Sequence, residues 1–374
     1  MKCVHKTLSF CKRKNALLFL LLAVVTVSDL EGSTPADTIK PVKRYGLKIH
    51  QGFVLIHSRE LRPIRNSYPT GLELDLAWQK VSQKAWESCL CYPKTGIALT
   101  IWDYDNPEVL GSGVTGMFYL EPVFGARHRI SFSIRAAFGL SYQNKPYHET
   151  KNPNNLSYST YVAFPLQLGG SMHIRLKPKW YLDITAVYNH FSNGGIQEPN
   201  KGINWPTAAV GVGYFLSRPD FKARVKKNWR EDHPPETRLD VNVFLAYKEP
   251  VSKLYLFSPG LEVKWSRQIA RINAITVGAE WMYDNGDRFE MEEAGLSESP
   301  HKAGIAIGHE FLLGDFLFSQ QFGYYFYKPF KDGQVVYQRY GLVHRTTPWL
   351  SLGIGLKAHG HVADFLDFRV GYTF

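Results

Sequence analysis

Residues 130–142 read Ile-Ser-Phe-Ser-Ile-Arg-Ala-Ala-Phe-Gly-Leu-Ser-Tyr. The even positions Ile130, Phe132, Ile134, Ala136, Phe138, Leu140 and Tyr142 are apolar, while the odd positions Ser131, Ser133, Arg135, Ala137, Gly139 and Ser141 are polar or small. A period of two puts successive side chains on opposite faces of a strand. One face is therefore greasy from end to end. Strands of soluble sandwiches run about 5 to 6 residues, whereas a tilted strand needs about 9 to 11 to cross a bilayer. The alternation recurs in Leu239, Val241, Val243, Leu245 and Tyr247 against Asp240 and Asn242, and in Leu350, Leu352, Ile354 and Leu356 against Ser351, Gly353, Gly355 and Lys357. The pattern predicts an all-β, transmembrane antiparallel β-barrel, the one sheet that leaves no backbone edge unpaired in lipid.

The last stretch alternates in the same way: Leu366, Phe368, Val370, Tyr372 and Phe374 against Asp367, Arg369, Gly371 and Thr373. It resembles the closing strand of bacterial outer-membrane barrels, whose terminal aromatic is part of the assembly signal. About sixteen strand candidates are countable, with twelve or fourteen if short ones near 80–94 and 253–266 are discounted, so a barrel of about 12 to 16 strands is expected. An even number places both ends of the sheet in the periplasm. Connections near 124–128, 176–180, 312–315 and 346–349 are then short periplasmic turns, and those near 143–157, 193–205 and 284–300 are long and external. The segment 217–236, with Lys222, Arg224, Lys226, Lys227, Arg230, Pro234 and Pro235, breaks this rule. It reads as a solvated basic linker rather than an interfacial helix, and as a place where an eight-stranded unit would join further strands.

Composition narrows the class. A chain of 374 residues with 44% apolar content is not disordered, and a mean hydropathy of -0.23 with one long apolar run excludes a helical membrane bundle. That run, Ala16 to Val27, follows Lys2, Lys6, Lys12, Arg13 and Lys14 and precedes small residues, so 1–28 is expected to be a signal peptide and 29–45 a periplasmic N-terminal segment. No lipobox follows it, since Cys3 and Cys11 lie upstream. Its removal takes five of the 44 basic side chains and no acidic one, cutting the net charge from +11 to +6. The pI of 9.3 thus overstates the basicity, and with no nucleic-acid-binding motif present no nucleic-acid partner is expected. Attraction to an anionic lipid surface stays in play. Four cysteines exclude a disulfide-stapled scaffold, and one intervening residue disfavours a Cys89–Cys91 bridge, so free thiols are expected there.

The chemistry concentrates in one strand. From Trp180 the apolar phase runs Leu182, Ile184, Ala186, Tyr188 and then continues into His190 and Ser192. Side chains at i and i+2 share a face, so a base and a hydroxyl stand together where the apolar stripe ends, near the outer-leaflet interface. Serine needs such a base, and the base needs a third group to hold its tautomer. The loop that follows, Asn193-Gly-Gly-Ile-Gln-Glu-Pro-Asn-Lys-Gly-Ile203, is short enough to bring Asn204 on the next strand beside His190. Its glycines, Gly194 first, free backbone N–H groups to face an oxyanion, and Asn200 offers an amide. Asp183 has the opposite phase and is expected in the lumen, and Glu198 is expected in solvent. His359, His361 and Asp364 form too sparse a set to be assigned a metal.

The run His190-Phe-Ser-Asn-Gly-Gly-Ile-Gln-Glu-Pro-Asn-Lys-Gly-Ile-Asn204 resembles the active-site segment of the outer-membrane lipid A 3-O-deacylases, the PagL-type acyloxyacyl hydrolases. The resemblance implies His190 as base, Ser192 as nucleophile, and Asn193 with Asn200 at the oxyanion. It covers 46–216, as that family is an eight-stranded barrel, and leaves 237–374 as additional strands. The family's third member is typically Glu, where this chain has Asn204. An amide supports imidazolium less than a carboxylate does, so lower intrinsic activity than a Glu-containing relative is expected. A His-x-Ser-Asn-Gly run with Asn as third member is also similar to outer-membrane phospholipase A, which implies calcium and dimerisation. The expected activity is thus a bacterial outer-membrane serine esterase that cleaves an acyl ester of lipid A without a cofactor. The alternatives are a calcium-dependent phospholipase A and a non-enzymatic barrel or porin. The expected partner is lipopolysaccharide or phospholipid of the outer leaflet, and the oligomeric state is left open.

Overall fold

The computed structural model describes residues 39–374 apart from 227, 233, 252, 253, 331–333 and 361, so the expected signal peptide lies outside the described residues. The first strands are β1 (Val42–Gly52), β2 (Thr70–Gln79), β3 (Tyr92–Asp103), β4 (Ser112–Phe124), β5 (Ile130–Gln143), β6 (Val162–Lys177), β7 (Trp180–Ser192) and β8 (Ile203–Phe215). They are followed by β9 (Thr237–Val251), β10 (Leu254–Ala270), β11 (Asn273–Tyr283), β12 (His301–Leu313), β13 (Phe316–Tyr327), β14 (Val336–Arg345), β15 (Leu350–His359) and β16 (Val362–Thr373). Each strand pairs antiparallel with its neighbours.

These strands do not close as one barrel of about 12 to 16; they form two closed barrels, β1–β8 and β9–β16. β8 returns to β1, with Val210 opposite Ile49, and β16 returns to β9, with Val370 opposite Val243. Alternation in a sequence reports which face a residue takes, not which strand it pairs with. Once β8 has met β1 every strand edge is used, and the chain leaves the sheet between Phe215 and Thr237, freeing the second set to close on itself.

Both interiors are filled by charge. In the first barrel Glu73 accepts from Lys48 Nζ at 2.6 Å and Arg135 Nη1 at 2.8 Å, Lys94 reaches Glu121 at 3.0 Å, and Asp183 binds Arg44 and, at 2.7 Å, His173 Nδ1. In the second, Glu310 meets Lys264 and Arg238, each at 2.5 Å, Arg339 meets Asp367 at 3.0 Å, and Lys357 meets Glu280. Eight strands enclose little more than the width of their own side chains, so these networks plug the cylinders. The opposite phase is apolar and outward, with Ile49 62% and Ile307 64% exposed, as a lipid-facing wall requires. Among the described residues no helix is long and apolar enough to cross a membrane.

At one end of the barrels the connections 125–129, 178–179, 271–272, 314–315 and 346–349 are short, while 53–69, 144–161, 193–202 and 284–300 at the other end are long. At the turn end lies α1 (Gln83–Cys89), capped by Ser82, whose hydroxyl accepts from Ala85 N–H. Cys89 and Cys91 are bridged, contrary to the expectation of free thiols. Leu90 adopts the left-handed conformation (φ 55°) and folds the two Cα atoms to 5.1 Å apart, inside the range a disulfide needs. The linker after β8 is largely irregular, with a single turn α2 (Trp229–Asp232). It packs Phe221 on Tyr92 beneath the first barrel, and Arg224 donates to the Tyr92 hydroxyl and Val81 carbonyl. In the long connection 284–300, α3 (Asn285–Glu293) is capped by Asp284 and packs on β9 and β10.

Removing one partner from a buried charge network strands the others. Glu73→Leu is expected to destabilise the detergent-solubilised protein by about 3 to 5 kcal/mol, seen as a lowered urea midpoint; an unchanged midpoint would show that Lys48 and Arg135 do not depend on this carboxylate.

Candidate active site

β7 carries its outward residues Ile184, Ala186 and Tyr188 into His190 and Ser192, and buries Asp183, Thr185, Val187, Asn189 and Phe191 on the lumenal side. The inward neighbours lock the end of the strand. The Phe191 ring is met by Tyr158 and Trp205 at 5.2 Å and by Tyr104 at 6.0 Å, centroid to centroid. These rings join Trp102, Leu110 and Ile203 in one apolar cluster in the loop-end mouth of the first barrel. Burial pushes the Tyr104 and Tyr158 hydroxyls above their ordinary pKa, so both stay neutral, and Tyr158 donates to the Leu110 carbonyl at 3.0 Å. Beside them Asn189 ties β6 to β8, accepting from Gln167 at 3.0 Å and donating to the Trp205 carbonyl at 2.9 Å. The backbone under His190 is thus held from both sides.

His190 and Asn204 are direct partners in the β7–β8 register, and Asn204 Oδ1 lies 2.7 Å from His190 Nδ1. The amide has a second partner, His57 in the β1–β2 connection, whose Nδ1 is 3.0 Å from Asn204 Nδ2. His57 Nε2 in turn lies 2.9 Å from the Lys201 carbonyl. A carbonyl only accepts, so a neutral His57 carries its proton on Nε2 and presents a lone pair at Nδ1. The Asn204 NH2 must then donate to His57, its oxygen must face His190, and His190 Nδ1 must bear the proton. The consequence is a basic lone pair on His190 Nε2. Across the β1–β2 connection the Lys201 ammonium hydrogen-bonds Glu60 at 3.0 Å and holds that carboxyl below its usual range, binding this connection to the turn after β7.

The turn 193–202 is built from its own polar groups. Asn193, fully buried, donates its side chain to Ser159 Oγ at 3.1 Å and to the Gln197 carbonyl, and its backbone N–H to Asn200 Oδ1 at 2.9 Å. Gly194 N–H points at Ser192 Oγ, 3.3 Å away. Lys201 and Gly202 donate their N–H groups to the carbonyls of Leu156 and Ser157, at 3.0 and 2.8 Å, so the β5–β6 connection clamps the turn. Gly202 has φ +70°, and a Cβ there would stand 2.9 Å from His190 Cε1 and 3.6 Å from Ser192 Cβ. Among the described residues no hydrogen bond joins His190 to Ser192. Such contacts often close only around a substrate.

Of the residues expected from sequence, His190, Ser192, Asn204, Gly194 and Asn200 gather on the outward face at the loop end, while Asn193 turns inward as the brace of the turn. Asp183 sits across the wall in the lumen with Arg44 and His173, and Glu198 is exposed and accepts from Asn200 N–H at 2.9 Å. His359 contacts Asp364 at 3.4 Å and the Val336 carbonyl at 2.9 Å, and His361 lies outside the described residues. Sequence reasoning missed His57 and Gly202. Nothing in the local pattern marks His57, whereas Gly202 stands inside the quoted run, and its glycine two residues before Asn204 was a readable signal.

Two family models match the chain: "Lipid A 3-O-deacylase (PagL)" over residues 72–213 and "Acyloxyacyl hydrolase, C-terminal domain" over residues 237–374. The first span contains His190, Ser192 and Asn204 but not His57. Among solved structures, the crystal structure of the outer membrane enzyme PagL aligns with 44% of this chain and 97% of its own, at 15% identity and a TM-score of 0.30. Acinetobacter baumannii OccAB3 aligns with 89% of this chain and 99% of its own, at 10% identity and a TM-score of 0.25. A triple mutant of Rhodopseudomonas blastica porin aligns with 90% and 100%, at 9% identity and a TM-score of 0.20. No curated protein matches significantly.

A methyl group at 202 meets both a strained backbone and the imidazole. Gly202→Ala is expected to leave the barrel folded and to slow labelling of Ser192 by a fluorophosphonate by about 100-fold, the order of loss a displaced catalytic group produces; labelling at the original rate would show that the ring is not held at this glycine.

Proposed function

Because the chain belongs to the PagL family of lipid A 3-O-deacylases, an ester hydrolase of the bacterial outer membrane, we propose that it removes an ester-linked acyl chain of lipid A at His190, Ser192 and Asn204, facing the outer leaflet. The observation that carries this reading is the 2.7 Å His190–Asn204 hydrogen bond on the lipid-facing side of β7, one step along that face from Ser192.

In this mechanism His190 Nε2 takes the Ser192 hydroxyl proton as Oγ bonds to the ester carbonyl carbon. The carbonyl electrons move onto oxygen. Gly194 N–H, already beside Oγ, meets that oxyanion, and the Asn193 N–H and Asn200 amide, bonded to each other at rest, are the further donors. One such donor is worth about 3 to 4 kcal/mol in the transition state. Collapse breaks the bond to the sugar oxygen, which takes the proton back from His190 Nε2, and acyl-serine remains. Water then repeats the sequence, with His190 as its base, and the fatty acid leaves.

The substrate class follows from the surroundings. The acyl chain of an outer-leaflet lipid lies against the same apolar wall as Ile184 and Tyr188, so the ester reaches Ser192 without leaving the membrane. Arg59, Arg62 and Arg65 are exposed on the connection that carries His57, and they suit the anionic phosphates of lipid A. The plugged lumens argue against a porin. No cofactor enters the proposal, and an activity that vanishes on calcium chelation and releases lysophospholipid would move the reading to phospholipase A.

In cells expressing the protein, mass spectrometry of lipid A is expected to show loss of one acyl chain, and Ser192→Ala to abolish that loss while the protein still folds. Identical lipid A with and without the wild-type protein would remove lipid A as the substrate.

A further inference from the structure

The two barrels meet beside the catalytic turn. Gly194 is buried, and it is covered from both sides. A Cβ at this position would run into the Leu366 side chain of β16, with Leu366 Cγ at 3.2 Å, and would stand 3.4 Å from Phe164 Cδ2 of β6. Phe164 is the direct register partner of Ser192. The next residue, Gly195, faces the Asp364 carbonyl, 3.5 Å from where its own Cβ would be. On β16 the contact is confined to this end: Leu366 is half-buried, while Phe368 and Val370, next on the same outward face, are 56% and 53% exposed.

The second barrel holds this contact from behind. Asp364 is bound by Lys248 at 3.1 Å and His359 at 3.4 Å, and Lys248 also binds Asp284 at 2.6 Å. Lys302 links Asp284 to Asp287 at 2.9 and 2.7 Å, tying in α3. The end of β16 is therefore fixed by an ionic cluster at the mouth of its own barrel. Ser192 has the His190–Asn204 pair on its β8 side and Phe164 on its β6 side, and it is on this second side that the neighbouring barrel closes in.

Resting on the esterase reading, we propose that the second barrel supplies one wall of the acyl cleft: Leu366, opposite Phe164 across Gly194, grips the scissile chain in the seam between the barrels and sets which chains are accepted. Phe164 and Leu366 are both apolar, flank the turn whose N–H faces Ser192 Oγ, and lie at the level of the ester rather than deeper in the membrane. A fatty acyl chain, with its carbonyl at Ser192, is the ligand that such a cleft takes. The proposal gives residues 237–374 a direct part in the reaction's specificity.

The test measures kcat/KM of the full-length protein on glucosamine esters carrying a 6-carbon or a 14-carbon chain, with folding followed by heat-modifiable migration on gels. Leu366→Trp, which narrows the seam, is expected to lower the long-to-short ratio by about tenfold, the order that pocket fit to an alkyl chain supplies. Leu366→Ala, which cannot crowd the site, is expected to raise KM for the 14-carbon ester about threefold or more and that for the 6-carbon ester by less, and Leu366→Met to restore the wild-type ratio. An unchanged ratio in folded Leu366→Trp and Leu366→Ala, with or without a uniform loss of rate, overturns the proposal. Hydrolysis that survives Ser192→Ala in the same assay would instead sink the esterase site, and the cleft with it.

Discussion

A neutral amide orients an imidazole usefully only if it cannot turn around. Asparagine presents an acceptor and a donor of nearly the same shape, and a flipped Asn204 would face His190 Nδ1 with N–H groups, driving the imidazole proton onto Nε2 and removing the base. Here the flip is blocked from the far side. The Lys201 carbonyl fixes His57, His57 Nδ1 demands a donor, and the amide has only its oxygen left for His190. A carboxylate would not need His57, since both its oxygens accept. The three links of this relay come from the turn after β7, the β1–β2 connection and β8, so the chemistry of one lone pair depends on how the loop end of the first barrel is assembled.

The barrel explains why the proposed chemistry sits outside. Glu73, Arg135, Asp183 and their partners leave the first interior no room for a substrate, and the second is filled in the same way. Reactive groups must stand on the outer wall, at the height where an apolar face gives way to polar loops. β7 does this by keeping one phase from Trp180 to Ser192, apolar for most of its length and polar at its end. The buried rings behind Phe191 supply the rigidity that an exposed site on a single strand would otherwise lack.

Much of this was legible in the sequence, for a physical reason. Alternation is imposed residue by residue by the two faces of a strand, so the outward phase of His190 and Ser192 and the inward phase of Asp183 followed from counting. The place of Asn204 followed from the length of one turn. Strand partnership is different: nothing in the phase of Val210 or Val370 says that β8 returns to β1 and β16 to β9, and so two barrels read as one. The Cys89–Cys91 bridge was misjudged because a left-handed residue at Leu90, unusual for leucine, makes the short span closable. His57 was invisible because its role depends on a contact 147 residues away in the chain, made by a histidine in no recognisable motif.

The relay makes a claim about one proton. Nitrogen-15 NMR of the protein with labelled histidine, assigned by comparison with a His190→Gln variant, reads which imidazole nitrogen of His190 is protonated near neutral pH. The relay requires the Nδ1–H form, and its replacement by the Nε2–H form when His57→Phe frees the amide to turn. Finding His190 in the Nε2–H form in the unaltered protein would contradict it.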